Sequence, residues 1–357
     1  MHNRTFLAVL AMVGAGLVTA DGNTNSAVTA DGDRIVAGYL PEIWPAVIAL
    51  LLYGCSAAIH WTAWWRSGRP RYMLVLTISM TTMTLGFIMR LVYRGGPSSL
   101  GLYIIMYMLL LLSPCAFLAM DYMILGRLAV AMGDEAANCL VLPAARIAKF
   151  FVWSDVVTFL VQAAGGGLSS GGTESMSKLG SRISIAGLAI QLASFVFFTV
   201  TLIIFGFRVY RRPAYSNVVS PFRKSDVGFW RRDVIVHDWR PLYWILLATT
   251  VGILVRSVFR LIEFSEGYYG YLAIHEGYFY LLDALPLWIS MTMYCFFWPS
   301  RFITGARQTY SGAVGSNIGL QSRRSPFTPV SVQGSQDSQN SYDVEQADYK
   351  RYRPAKY

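Results

Sequence analysis

Long apolar runs alternate with short basic connections along most of this chain, and the runs recur seven times between residues 43 and 298. A helix that crosses about 30 Å of hydrocarbon needs roughly 20 mostly apolar residues. Segments 43–64, 72–93, 101–124, 147–165, 183–206, 242–262 and 276–298 meet that requirement. The fourth is the least apolar, because Lys149, Trp153, Asp155 and Gln162 interrupt it, yet "FFVWSDVVTFLVQAA" remains mostly large and apolar. The pattern predicts an all-α integral membrane protein, a seven-transmembrane-helix bundle.

The opening stretch, "MHNRTFLAVLAMVGAGLVTADG", has Arg4, a short apolar core and then Val18-Thr19-Ala20 ahead of Asp21. Small residues at that spacing make a cleavage site, so residues 1–20 are expected to be a signal peptide; the alternative is an uncleaved anchor. Residues 21–42 then form an extracellular segment and 43–300 the seven-helix domain. From Arg301 the chain is rich in Ser, Gln and Asn with no apolar period, which predicts a disordered cytoplasmic tail over 301–357.

Orientation follows from where Lys and Arg fall between the spans. With the N-terminus outside, the first two cytoplasmic connections hold Arg66, Arg69 and Arg71, then Arg127, Arg146 and Lys149. The third adds Arg208, Arg211, Arg212, Arg223, Lys224, Arg231, Arg232 and Arg240. The three outer loops have Arg90, Arg94, Lys178 and Arg182, and the third of them is acidic at Glu263, Glu266 and Glu276. That imbalance predicts the N-terminus out and the C-terminus in.

Composition agrees with the pattern. Of the 357 residues 54% are hydrophobic and 14% charged, against about 25% charged in an ordinary soluble domain. A net charge of +10 would suit nucleic acid, but the basic residues lie in short blocks between apolar runs. No nucleic-acid partner is expected; the basic third loop suits anionic lipid instead. Cys55, Cys115, Cys139 and Cys295 form no CxxC pair, so neither a disulfide nor a cysteine metal site is expected. His60 and His275 fall at opposite membrane faces and cannot share a metal, and no GxxxxGK[ST] loop occurs. The chain is therefore read as having no cofactor and no enzymatic activity.

Polar residues inside the spans change the picture more. A charge at the bilayer centre costs about 2.5–3.5 kcal/mol even on the lenient insertion scale, so each one needs a partner or a wet cavity. Asp155 lies eight residues from the cytoplasmic end of the fourth span, about 12 Å deep. Gln162 follows it on the same helical face, and Gln191 in the fifth span reaches a similar level. Arg256, Arg260 and Glu263 are spaced i, i+4, i+7 in the sixth span, and Glu276, Tyr280 and Asp283 repeat that spacing in the seventh. Asp283 is expected near Arg256, and Glu276 near Arg260 and Glu263, with Arg90 of the second span joining them. These residues either fasten the helices or line a head-group site; Asp155 and Asp283 are the foremost members of a polar path. His275, beside Glu276, is read as a hydrogen-bonded or pH-sensitive residue.

Three blocks resemble a fungal family of seven-span proteins, the RTA-like lipid-translocating exporters named for resistance to aminocholesterol. They are "LLSPCAFLAMDYMILGRL", "FVWSDVVTFLVQAAGGG" and "RSVFRLIEFSEGYYGYLAIHEGYFYLLDALPL". The last is the most specific, with Arg256, Arg260, Glu263, Gly267, Gly270, Tyr271, His275, Glu276, Tyr280, Asp283 and Pro286 all where the pattern expects them. The resemblance covers roughly residues 39–300. It departs at Phe87, where the family tends to have Tyr, at Leu287, where Met is usual, and in the first span, which lacks an asparagine soon after "YLP". What it implies is translocation or export of sphingoid bases, sterol-like amphiphiles or toxic lipophilic compounds, most simply at the plasma membrane, alternatively at the endoplasmic reticulum or vacuole. Expected partners are membrane lipids and an amphiphilic substrate, with Glu263, Glu276 and Asp283 attracting an amine head group. The alternative is a seven-span lipid or stress sensor that signals through the basic third inner loop and the tail.

Overall fold

The computed structural model describes residues 40–169, 174–216, 235–266 and 271–322. Seven helices among them are long and apolar enough to cross a membrane. They are α1 (Ile43–Arg66), α2 (Leu74–Arg94), α3 (Leu100–Ala131), α4 (Ala144–Ser169), α5 (Glu174–Tyr210), α6 (Arg240–Ser265) and α7 (Glu276–Phe296). All seven expected spans are present, and no strand occurs among the described residues. The 32 residues of α3 and 37 of α5 outrun the hydrocarbon thickness, at about 1.5 Å of rise each. The polar residues that end an apolar run do not end a helix. Arg127, for example, continues α3 with its guanidinium 4.2 Å over the ring of Tyr72.

Consecutive helices pack side by side from α1 to α7, α7 returns to α1, and α3 touches α6 across the middle. The bundle differs from a soluble protein in its outer surface. Leu51, Ile78, Leu160, Ile190 and Val251 face outward, while Asp121, Asp155, Arg256, Arg260 and Asp283 are buried. The interior is itself mostly apolar, and the charged side chains of the spans are confined to it, as a hydrocarbon solvent requires. Between α4 and α5 the backbones come close at Gly165 and Gly180. A Cβ on Gly165 would lie 2.7 Å from the Gly180 carbonyl oxygen, and one on Gly180 would lie 2.5 Å from that of Gly165. Only glycine tolerates such an approach, as at other small-residue crossings in membranes.

Two prolines shape the interior. Pro114 lies inside α3 and has no amide for the carbonyl one turn earlier, that of Leu110. Ahead of Pro286, residues Phe279–Ala284 widen into a π turn, a local form frequent at functional sites.

The expectation of a disordered tail from residue 301 is corrected over its first part. Helix α8 runs from Pro299 to Ser322, with Phe302, Ile303 and Ala306 buried. Those residues recur at helical spacing, and the polar composition around them hid the stripe. The His237 ring nitrogen Nδ1 lies 3.1 Å from the Thr309 hydroxyl of α8. The chain divides into two compact units, Met1–Ala313 and Val314–Tyr357; the second is helical as far as Ser322. The expected signal peptide, most of the segment 21–42, residues 217–234 of the basic third loop, the Gly267–Gly270 turn and residues 323–357 lie outside the described residues.

Candidate functional site

The helical stripes meet as an ion-pair network. Arg260 donates to Asp283 through two nitrogens, Nε to Oδ1 at 2.9 Å and Nη2 to Oδ2 at 3.1 Å. This is the fork that a planar guanidinium makes with a carboxylate. Its third nitrogen, Nη1, reaches Glu263 at 3.0 Å. Arg256 Nη1 lies 2.8 Å from Asp283 Oδ2, close in charge but not aligned as a hydrogen bond. Arg256 Nη2 donates at 3.4 Å to the carbonyl of Leu110, the one that Pro114 leaves without its helical donor. The π turn of α7 brings Asp283 between the two arginines, where it is fully buried.

Glu276 goes elsewhere than expected. It pairs not with Arg260 but with Arg90 of α2, whose Nη2 and Nε donate to Oε1 at 2.6 and 3.1 Å. The backbone amide of Glu42 donates to its other oxygen at 2.8 Å, and the Tyr280 hydroxyl donates to Oε1 at 3.3 Å. Phe279 bridges the two networks, with the Arg90 guanidinium 4.6 Å and the Arg260 guanidinium 5.4 Å from its ring centre. Three guanidiniums thus face three carboxylates, and every carboxylate is engaged. The expected attraction of an amine to Glu263, Glu276 and Asp283 therefore meets arginines already in place. His275 stands apart from this network at the end of the bundle, its Nδ1 donating to the Tyr271 carbonyl at 2.8 Å and its ring against that of Tyr271.

A narrow cleft of about 30 Å³ lies among α3, α4, α5 and α6. Leu118, Leu188, Phe195 and Ile253 give it apolar walls, and Gln162, Gln191, Arg256 and Arg260 give it polar positions. Gln162 donates to Gln191 at 2.7 Å, and Gln191 donates to the Cys115 sulfur at 3.4 Å. Gln162 and Gln191, expected at a similar depth, thus meet across α4 and α5. Asp155 lies further along α4, buried, beside the Tyr122 phenol of α3.

Asp121 escaped the sequence reading. It is fully buried in α3, accepting from the Tyr294 hydroxyl of α7 at 2.7 Å and the Thr249 hydroxyl of α6 at 3.1 Å. The only signal was a lone carboxylate in an otherwise apolar run. Its partners are hydroxyls, which no charge pattern reveals.

The RTA1-like protein family matches residues 76–306. Among relatives, Protein RTM1 of Saccharomyces cerevisiae is 34% identical over 58% of this chain and 61% of its own length. Protoporphyrin uptake protein 1 of the same yeast is 36% identical, over 57% of this chain and 60% of its own. The sphingoid long-chain base transporter RSB1, also from that yeast, is 27% identical over 77% of this chain and 76% of its own. The chain thus spans about three fifths of the length of the first two relatives. No solved structure matches. With the family pattern running from α2 into α8 and enclosing both ion-pair networks and the cleft, the chain belongs to the RTA1-like protein family.

Proposed function

We propose that this chain translocates or exports amphiphilic lipids, sphingoid long-chain bases foremost, and so confers tolerance to toxic lipophilic compounds at the plasma membrane. The observation that carries this reading is the cleft among α3 to α6, apolar on its walls and polar where Gln162, Gln191, Arg256 and Arg260 line it. A single-chain amphiphile has the same division of surface. The relatives lend support, since one is a sphingoid long-chain base transporter and another a protoporphyrin uptake protein. Both handle molecules with an apolar body and a polar group. The ion-pair networks fasten α2, α6 and α7 to one another, and their members Arg256 and Arg260 also line the cleft.

Purified protein in vesicles with a labelled sphingoid base tests the reading, with and without a pH gradient. Movement of label in protein-containing vesicles, absent from protein-free ones, is the expected result. Movement without a gradient identifies facilitated exchange, and movement only with one identifies coupled export. Equal rates with and without protein would overturn the proposal in favour of a sensor acting through the basic loop.

A further inference from the structure

Asp121 lies well inside α3 and is fully buried, and among the described residues no Lys or Arg comes within ion-pair distance of it. Its two hydrogen-bond partners are hydroxyls on other helices. The Tyr294 oxygen of α7 is 2.7 Å from Oδ1, and the Thr249 oxygen of α6 is 3.1 Å from Oδ2. Ionisable groups around these three are few. Tyr122 follows Asp121 on α3 and turns to Asp155 of α4. Cys295 follows Tyr294 on α7 and turns to His60 of α1, its sulfur 3.4 Å from Nδ1. No ionisable side chain occurs in α2 from Leu74 to Met89, in α5 from Ile183 to Phe207 or in α6 from Trp244 to Val255.

The hydrogens of this junction can be counted. Thr249 and Tyr294 supply one each. Thr249 Oγ1 lies 2.8 Å from the Leu246 carbonyl oxygen, closer than to Asp121, so its hydrogen belongs to that contact. Tyr294 gives its hydrogen to Oδ1 across the shortest contact of the group. With Asp121 ionised, the contact between Oδ2 and Thr249 holds no hydrogen, and two lone pairs face each other. One further hydrogen, on Oδ2, completes the set: Oδ2 donates to Thr249, Thr249 to Leu246 and Tyr294 to Oδ1. A buried carboxyl without a cation is also least costly in its neutral form.

The position of this junction gives the proton a mechanical role. Along α3, Asp121 follows Pro114, whereas Leu110, whose carbonyl receives Arg256, precedes it. Along α7, Tyr294 follows Pro286, whereas Asp283 precedes it. The carboxyl junction and the arginine network thus tie α3, α6 and α7 on opposite sides of the two prolines. Ion pairs hold one side, and a single hydrogen completes the other.

We propose that Asp121, Tyr294 and Thr249 form a proton-binding site. Asp121 carries one exchangeable proton in this arrangement, and its release to water leaves a carboxylate that loosens α3 from α6 and α7. On the translocation reading, on which this step rests, the site is where a pH gradient acts on the movement of the amphiphile.

The test uses the purified full chain in lipid. Infrared spectra at neutral pH are expected to contain a carboxylic-acid carbonyl band in the wild type that deuterium shifts and that Asp121→Asn lacks. Asp155→Asn keeps this band, and Tyr294→Phe moves it, because Oδ1 loses its donor. The amide of Asp121→Asn reproduces the protonated pattern, Nδ2 donating to Thr249 and Oδ1 accepting from Tyr294, so this variant is expected to fold. Raising the pH should lower the melting temperature of the wild type relative to Asp121→Asn, since only the wild type loses a proton at this junction. An acid band undiminished in Asp121→Asn overturns the site, and a melting difference that stays constant with pH overturns the loosening. In vesicles with a labelled sphingoid base, the wild type is expected to respond to a pH gradient and Asp121→Asn to move label equally with and without one. A gradient response retained in Asp121→Asn overturns the coupling. If no protein moves label, the translocation reading fails, while the infrared band decides the proton site by itself.

Discussion

Asp283 receives Arg256 and Arg260 of α6, and with Arg260 it forms a two-bond fork inside the bundle. Removing one partner of such a pair leaves an uncompensated buried charge, which costs about 3–5 kcal/mol. Asp283→Leu and Arg260→Met are each expected to lose that much in unfolding experiments in detergent. The double variant should lose less than the sum of the two, because it leaves only the weaker Arg256 and Glu263 contacts unbalanced. The spacing of Arg256, Arg260 and Glu263 made this network legible, since one helical face holds all three and Asp283 supplies the complement. Arg90 was expected to join the cluster, but spacing alone did not show that Glu276 would pair with it rather than with Arg260. Spacing within one helix says nothing about which neighbour it turns towards. Asp121 was illegible for a different reason: hydroxyl groups satisfy it, and serines and threonines are too common in membrane helices to single out.

Elements were read well at their centres and less well at their ends. Hydrophobic runs locate the part of a helix in lipid, so the extensions of α3 and α5 beyond it went unseen, and α8 was missed because its apolar stripe is short. Helix-to-helix contact left a trace only in glycine. At Gly165 an added side chain meets the backbone of α5, whereas at Gly166 nothing lies within 4 Å. Gly165→Val should therefore cost about 1–3 kcal/mol by forcing α4 and α5 apart. Gly166→Val should stay within about 0.5 kcal/mol of the wild type. Melting curves of the two purified variants provide the comparison. The π turn before Pro286 had no signature beyond the proline, yet it is what sets Asp283 between two arginines.

At the scale of the whole molecule, the seven-helix fold was legible because hydrocarbon allows few ways to satisfy a backbone. Orientation rests on the distribution of Lys and Arg. With the N-terminus outside, a cysteine at Ser98 in a cysteine-free background should react with an impermeant maleimide on intact cells. One at Asp134, between α3 and α4, should react only after permeabilisation. The reverse pattern would place the basic connections outside. Both positions are exposed.

The matched count of guanidiniums and carboxylates has an electrical consequence. A membrane potential does work on net charge, about 2.3 kcal/mol per elementary charge per 100 mV. Arg90, Arg256 and Arg260 with Glu263, Glu276 and Asp283 sum to zero, so shifting them together as one body transfers nothing through the field. Asp121 and Asp155, buried in the spans without an arginine, stand outside that balance.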